Sequence, residues 1–151
     1  MKTRIIFLLF LLPSIGFSQN GLTAFMDGYG KAMQEHNYEK LVRSIYGNGG
    51  IGGIGMDRAI DNLRAAFQGT SISSYNYEVL STVKMGNRIF TAMRIQFHVS
   101  SPYGSQLMMM KLAGIKENGK WYVADAEQCI FTSLNSIMPA SISNIMAMST
   151  Y

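Results

Sequence analysis

The stretch ISSYNYEVLSTVKMGNRIFTAMRIQFHVS, residues 72–100, decides the fold class of this chain. Strand-forming residues dominate it, and apolar or aromatic side chains recur at every second position on both sides of Gly86-Asn87. A period of two is typical of a strand with one buried face, and Gly-Asn is a turn pair. The stretch therefore predicts two long antiparallel strands, 72–84 and 89–100, joined in a hairpin.

A second hairpin follows the first. Pro102 and Gly104 mark a connection to a third strand, 106–116, and the Asn118-Gly119 pair is typical of a tight type I′ turn into a fourth strand, 121–128. The order of these segments predicts an antiparallel meander of about four strands.

Helical patterns precede the meander. Apolar residues recur at three- and four-residue steps over 21–46, and Asn37 interrupts them as a helix cap, which predicts a long first helix and a short second one, 38–46. A third helix is predicted from Asp57, as its N-cap, through about Gly69. Helices able to cover one apolar sheet face predict an α+β fold, with the helices packed on one face of a curved antiparallel sheet of about four strands.

The chain from about residue 132 carries apolar residues at helical steps, although Pro139 interrupts them. This pattern predicts a short helical tail that packs on the core or acts as a lid. A dimer contact, or a fit into a partner's groove, is the alternative.

The first residues have the order of a secretory signal peptide. Two basic residues precede the apolar run 5–12, which is too short to span a membrane and is followed by helix breakers. We predict a cut after Ser18, which makes residues 1–18 a signal peptide and residues 19–151 a single domain. The protein is then expected to be exported, either to a periplasm or to the medium, with no membrane attachment after cleavage.

Charge and cysteine content narrow the function classes. Removing Lys2 and Arg4 lowers the formal net charge from +4 to +2, and no run of basic residues forms a stripe such as a nucleic acid requires. We therefore expect no nucleic-acid partner. The lone Cys129 cannot form an internal disulfide and is expected to be a small buried apolar residue.

Three other motifs receive structural interpretations. The glycine-rich segment GNGGIGGIG, residues 47–55, lacks the preceding strand of a dinucleotide fingerprint and is expected to be a flexible loop. His36 and His98 have no second ligand at metal spacing, so we expect no metal and no cofactor. The 12 methionines are expected to fill irregular gaps in the core.

Three phrases carry a resemblance to a known superfamily: YGKAMQEHNYEKL at 29–41, DRAIDNLRAAF at 57–67 and IKENGKWYVADAEQ at 115–128. Together with the order of helices and meander, they resemble the NTF2-like (cystatin-like fold) superfamily, which includes ketosteroid isomerase, scytalone dehydratase and the SnoaL polyketide cyclases. The resemblance implies a curved sheet that wraps around the long helix and leaves a conical cavity suited to an apolar ligand.

The resemblance also implies candidate site residues. Tyr29 is similar in position to the isomerase tyrosine that stabilises an oxyanion, whereas the position of the isomerase's carboxylate base falls in the glycine-rich segment, which has none. His98 and Asp125, on predicted strands, are the remaining candidates for a catalytic acid or base. The residues expected to line the cavity and bind a ligand are Phe25, Tyr29, Met33, Phe67 and Met93.

Three functions stay open at this point. The leading interpretation is an exported non-enzymatic domain that binds a small apolar ligand or a protein partner. The alternative is an isomerase, dehydratase or cyclase that uses Tyr29 with His98 or Asp125. A further alternative is an interaction or inhibitor module that acts as a dimer through an apolar sheet surface expected to contain Phe90, Met108, Met110 and Leu112.

Overall fold

The computed structural model describes residues 12–47 and 55–148. Helices precede a sheet, and further helical segments follow it. The elements are α1 (Leu12–Gln34), α2 (Tyr38–Arg43), α3 (Met56–Ala66), β1 (Ser71–Met85), β2 (Arg88–Ser101), β3 (Gly104–Glu117), β4 (Lys120–Asp125), α4 (Ala126–Phe131), a 3-10 turn (Ser133–Ser136) and α5 (Ala140–Ala147).

The four strands form one antiparallel sheet in the order β1-β2-β3-β4, as the meander pattern predicts. Two register shifts in β1, at Ile72/Ser74 and Val79/Ser81, mark bulges, which bend a strand and increase its twist. Asn118 and Gly119 both have positive φ angles, 52° and 76°, as the predicted type I′ turn requires. The fold class predicted from the sequence is therefore confirmed.

One face of the sheet packs on α1, and we call it the inner face. Side chains from the middle of β2, such as Met93 and Ile95, meet Met26 and Met33 of α1 in the main hydrophobic core. Leu41 of α2 belongs to the same core, and side chains of α3 pack against it. The three N-terminal helices therefore cover the inner face.

The opposite, outer face is partly covered by the chain after β4. Leu134, Met138, Ile142 and Met146 pack there on Phe90 and the apolar residues around it. Lys111 fastens this layer, because its Nζ donates to the carbonyl oxygens of Ile145, at 2.8 Å, and Met148, at 2.6 Å. The sequence predicted helices on one face of the sheet. The tail adds a second helical layer on the outer face, because that face carries an apolar patch of its own.

The apolar surface expected to mediate dimerisation does not exist as one surface. Phe90 is buried on the outer face beneath the tail. Met110 and Leu112 lie on the inner face, and Met108 shares that face because it pairs with Phe97 across β2 and β3. These residues are divided between the two faces because cross-strand register, which sequence alternation leaves open, sets their direction.

Asn37 caps α2 as predicted, since its Oδ1 accepts the Lys40 N–H at 3.2 Å. The end of α1 has a left-handed residue, His36, with φ of 55°. The His36 N–H donates to the Met33 carbonyl and the Asn37 N–H to the Ala32 carbonyl. This pair of bonds is a Schellman motif, which usually contains glycine at the left-handed position.

Helix capping explains two of the differences between the predicted and the observed elements. Strand β4 ends at Asp125 rather than continuing to Gln128, because the Asp125 side chain caps α4. Asp57 is not the cap of α3: Gly55 occupies the cap position, and Asp57 lies in the first turn, where a carboxylate favours the positive end of the helix dipole.

Residues 5–11 of the predicted signal peptide's apolar run and residues 48–54 of the glycine-rich segment lie outside the described residues. The predicted cut after Ser18 falls within α1, and the described core contacts of that helix begin at Leu22. In the described ranges, no helix is both long and apolar enough to cross a membrane.

Candidate functional site

A cavity of about 240 Å³ lies between the inner face of the sheet and the three N-terminal helices. Its walls are mostly apolar, and side chains from α1, α3, β2 and β3 form them. They include Met33, Leu63, Phe67, Phe97, Met110 and Leu112. The segment after α2 completes the site, because Ile45 pairs with Val123 at the free edge of β4 and lines the cavity beside it.

Tyr29 projects a phenol from α1 to the cavity. Burial, with a smaller contribution from the charge of Asp125, raises its pKa to about 12. Its hydroxyl makes no hydrogen bond with any part of the chain that the structure describes. Tyr29 is therefore a neutral hydrogen-bond donor at physiological pH, with its proton free for a ligand.

Asp125 and Gln128 supply the other polar groups of the cavity. The Gln128 N–H donates to Asp125 Oδ1 at 2.8 Å, and the Asp125 N–H donates to Gln128 Oε1 at 3.2 Å. This reciprocal pair is a capping box, which fixes both side chains at the start of α4. The junction between β4 and α4 therefore presents a carboxylate and an amide in a fixed arrangement beside the apolar walls.

Cys129 follows Gln128 but does not line the cavity. The side chain is 1% exposed, and burial together with Asp125 raises its thiol pKa to about 12. A thiol with so high a pKa is a poor nucleophile, because the thiolate is the reactive form. Cys129 therefore packs as an apolar residue, as expected from the sequence.

The structure brings together some of the residues expected at the site. Tyr29, Met33 and Phe67 line the cavity, and Asp125 joins them. Met93 is fully buried in the core without lining the cavity.

Phe25 was expected in the cavity but lines a separate surface groove of about 510 Å³ with Trp121 and several charged side chains. Phe25 lies one helical turn before Tyr29, so its side chain leaves α1 nearer the other end of the sheet. The expectation for Phe25 is therefore corrected.

His98 was expected as a catalytic acid or base, and its position excludes it from this cavity. It pairs with Ser74 and Leu107 across the sheet, on the face opposite to Phe97, and its Nδ1 lies 3.0 Å from Ser74 Oγ. Because neighbouring strand residues point to opposite faces, Phe97 lines the cavity and His98 faces outward. Asp125 is the one candidate acid or base that shares the cavity with Tyr29.

Sequence reasoning missed Gln128, and a signal for it was present. Asp125 and Gln128 stand three residues apart, the spacing of a capping box, but the period-two interpretation extended β4 across both. Within the described ranges, no three His, Cys, Asp or Glu side chains cluster as a metal site would require.

No protein-family model and no curated protein matches this chain in sequence. Solved structures do match its fold. A protein from Catenulispora acidiphila superposes with a TM-score of 0.56 at 9% identity, over 74% of this chain and 89% of that one. Aln2 from a Streptomyces species superposes with a TM-score of 0.52 at 12% identity, over 72% of this chain and 86% of that one.

A third chain, Rd1NTF2_05, matches with a TM-score of 0.47 at 13% identity, over 70% of this chain and 94% of that one. Three helices followed by a four-stranded meander that encloses a cavity are the arrangement that the sequence resemblance implies. The chain has an NTF2-like fold. The superpositions with TM-scores of 0.56 and 0.52, at 9% and 12% identity, show a shared fold and no shared activity.

Proposed function

We propose that this NTF2-like domain binds a small, largely apolar molecule that accepts a hydrogen bond from Tyr29. The observation that carries the proposal is the neutral Tyr29 hydroxyl, which has no partner among the described residues and lies at a cavity with apolar walls. The apolar walls offer this hydroxyl no acceptor, and a ligand oxygen would supply one. A volume of about 240 Å³ lies just below the usual range of ligand pockets, about 300–1,000 Å³, so the ligand is small.

Native mass spectrometry of protein purified from its own host tests this proposal. We expect a small molecule bound to the wild-type protein, and Tyr29→Phe should weaken its retention about three- to tenfold, the value of one hydrogen bond. Tyr77→Phe is the matched control, because that hydroxyl bonds Thr23 Oγ1 at 3.3 Å and does not line the cavity. An empty cavity in a protein that carries another chain instead would contradict the proposal.

A second function, proton transfer next to a carbonyl, is supported by the presence of Asp125 in the same cavity as Tyr29. In this reaction the carboxylate would accept the proton and the phenol would stabilise the enolate oxygen. The test is the exchange of α-protons of cyclohexanone in deuterated water. Faster exchange with wild type than with Asp125→Asn, which keeps an oxygen for the cap, supports catalysis, and equal rates leave only binding.

We further propose that the domain acts outside the cytoplasm. The basic residues and the apolar run before Ser18 support export. A cut after Ser18 would leave every described core residue of α1 in place, since these begin at Leu22. The mass of the protein recovered outside the cytoplasm tests the cut: a first residue near Gln19 is expected, and intact residues 1–18 would contradict it.

A further inference from the structure

Resting on the proposed function, we infer that Gln128 and Asp125 restrict the ligand to a neutral molecule that carries both a carbonyl-type oxygen and a hydroxyl group, such as a small hydroxyketone. Both residues line the cavity, and both are fixed by the capping box at the start of α4. The polar end of the cavity is therefore preformed.

The amide of Gln128 has a defined orientation. Its Oε1 accepts the Asp125 N–H, so its NH₂ group must point away from the helix start. The residue is 8% exposed, and its Nε2 makes no hydrogen bond within the part of the chain that the structure describes. An amide nitrogen that the protein leaves without a partner, on a residue that lines a cavity, can donate a hydrogen bond to a ligand oxygen.

Asp125 supplies the complementary acceptor. Its Oδ1 is used by the Gln128 N–H, and its second carboxylate oxygen has no described partner. The negative charge of Asp125 acts on Tyr29 across the cavity, since it contributes to the raised pKa of that phenol. An anionic ligand would meet this charge in an environment of low polarity, where repulsion is strong.

The chemistry of the ligand follows from this inventory. The Tyr29 hydroxyl and the Gln128 amide can each donate a hydrogen bond to an oxygen lone pair of the ligand. The Asp125 carboxylate can accept one hydrogen bond from an O–H or N–H group of the ligand. A ligand that lacks these groups would displace water from these polar atoms without replacing its hydrogen bonds, which is costly. The apolar walls accept a ring or a short branched chain.

Titration calorimetry with four probes of similar size, hydroxycyclohexanone, cyclohexanone, methylcyclohexane and cyclohexanecarboxylate, tests the inference on the full chain. We expect hydroxycyclohexanone to bind about tenfold or more tightly than methylcyclohexane, with cyclohexanone between them and the carboxylate weakest. Equal binding of all four probes, or tightest binding of the carboxylate, would overturn the ligand class and leave the proposed function standing. Binding of none would overturn both.

The variant Gln128→Glu distinguishes the two roles of Gln128, which are to donate a hydrogen bond to the ligand and to cap α4. The new carboxylate keeps an oxygen for the Asp125 N–H but has lost the NH₂ donors, so both ketone probes should bind about tenfold more weakly. Gln96→Glu is the control, because its amide contacts Met109 Sδ at 3.3 Å outside the cavity. Unchanged ketone binding in a folded Gln128→Glu protein would overturn the role of Gln128. If Gln128→Glu does not fold, the order in which the wild-type protein binds the four probes alone tests the ligand class.

Discussion

Tyr29 and Gln128 line the same cavity from different elements, and the sequence pattern predicts the position of Tyr29 but not that of Gln128. Tyr29 and Met33 stand four residues apart on a helix, so the helical period places them on one side of α1. Asp125 and Gln128 stand three apart, which a strand would direct to opposite faces. The helix cap that overrides the strand pattern brings them together.

The ionisation of Tyr29 gives a pH prediction at the residue scale. Its pKa is about 10 in an unfolded chain and about 12 in the folded protein. The folded state therefore holds the proton more tightly, so the contribution of Tyr29 to the free energy of unfolding is fully present below about pH 10 and is lost as the pH rises through about 12. Urea denaturation at a series of pH values should show that the free energy of unfolding falls less for Tyr29→Phe than for wild type as the pH rises from about 10 to about 12. Identical losses would contradict the burial of this phenol.

Gly30 provides a packing prediction. A Cβ added there would overlap the Tyr75 ring, which packs directly on α1. Gly30→Ala should therefore lower the free energy of unfolding by about 1–3 kcal/mol. Gly28→Ala, on the same helix, is the control: its Cβ would meet only the flexible end of Lys40, at 3.4 Å, and should be neutral or stabilising by up to about 1 kcal/mol. Equal effects of the two variants in urea titrations would be incompatible with this contact.

At the scale of elements, the strands were the most predictable part of the chain. The four predicted strands are all present, and three of them match to within two residues at both ends, because alternation and two turn pairs mark their limits. The two bulges in β1 leave no clear trace in the pattern. The faces of His98 and Phe90 could not be assigned, since a shift of register by one residue reverses every side chain.

The helical tail is expected to be part of the folding unit. Ile142 is completely buried between α5 and the outer face of the sheet. Ile142→Ala should therefore lower the free energy of unfolding by about 2–5 kcal/mol in a single cooperative transition. Ile130→Ala in α4 is the matched control, with its side chain 41% exposed, and should cost less than about 1 kcal/mol. A tail variant as stable as the control would show that the tail does not cover the outer face in solution.

At the scale of the whole molecule, the order of helices and strands predicted the α+β class, and the resemblance carried by three sequence phrases implied the NTF2-like arrangement. The cavity itself depends on contacts that no local pattern encodes. One is the bridge from Ile45 to Val123, which joins the segment after α2 to the free edge of β4. Another is the placement of Met110 at the cavity wall while Met93 is fully buried in the core.

A small molecule in this cavity would lie beside two methionines, whose methyl groups report on its binding directly. Met33 and Met110 line the cavity, whereas Met26 is buried in the core away from it and Met148 is 66% exposed. The decisive measurement is a methyl NMR spectrum of methionine-labelled protein titrated with hydroxycyclohexanone. We expect saturable shifts of the Met33 and Met110 methyl signals with little change at Met26 and Met148. Unmoved signals at Met33 and Met110, or equal shifts at Met148, would contradict it.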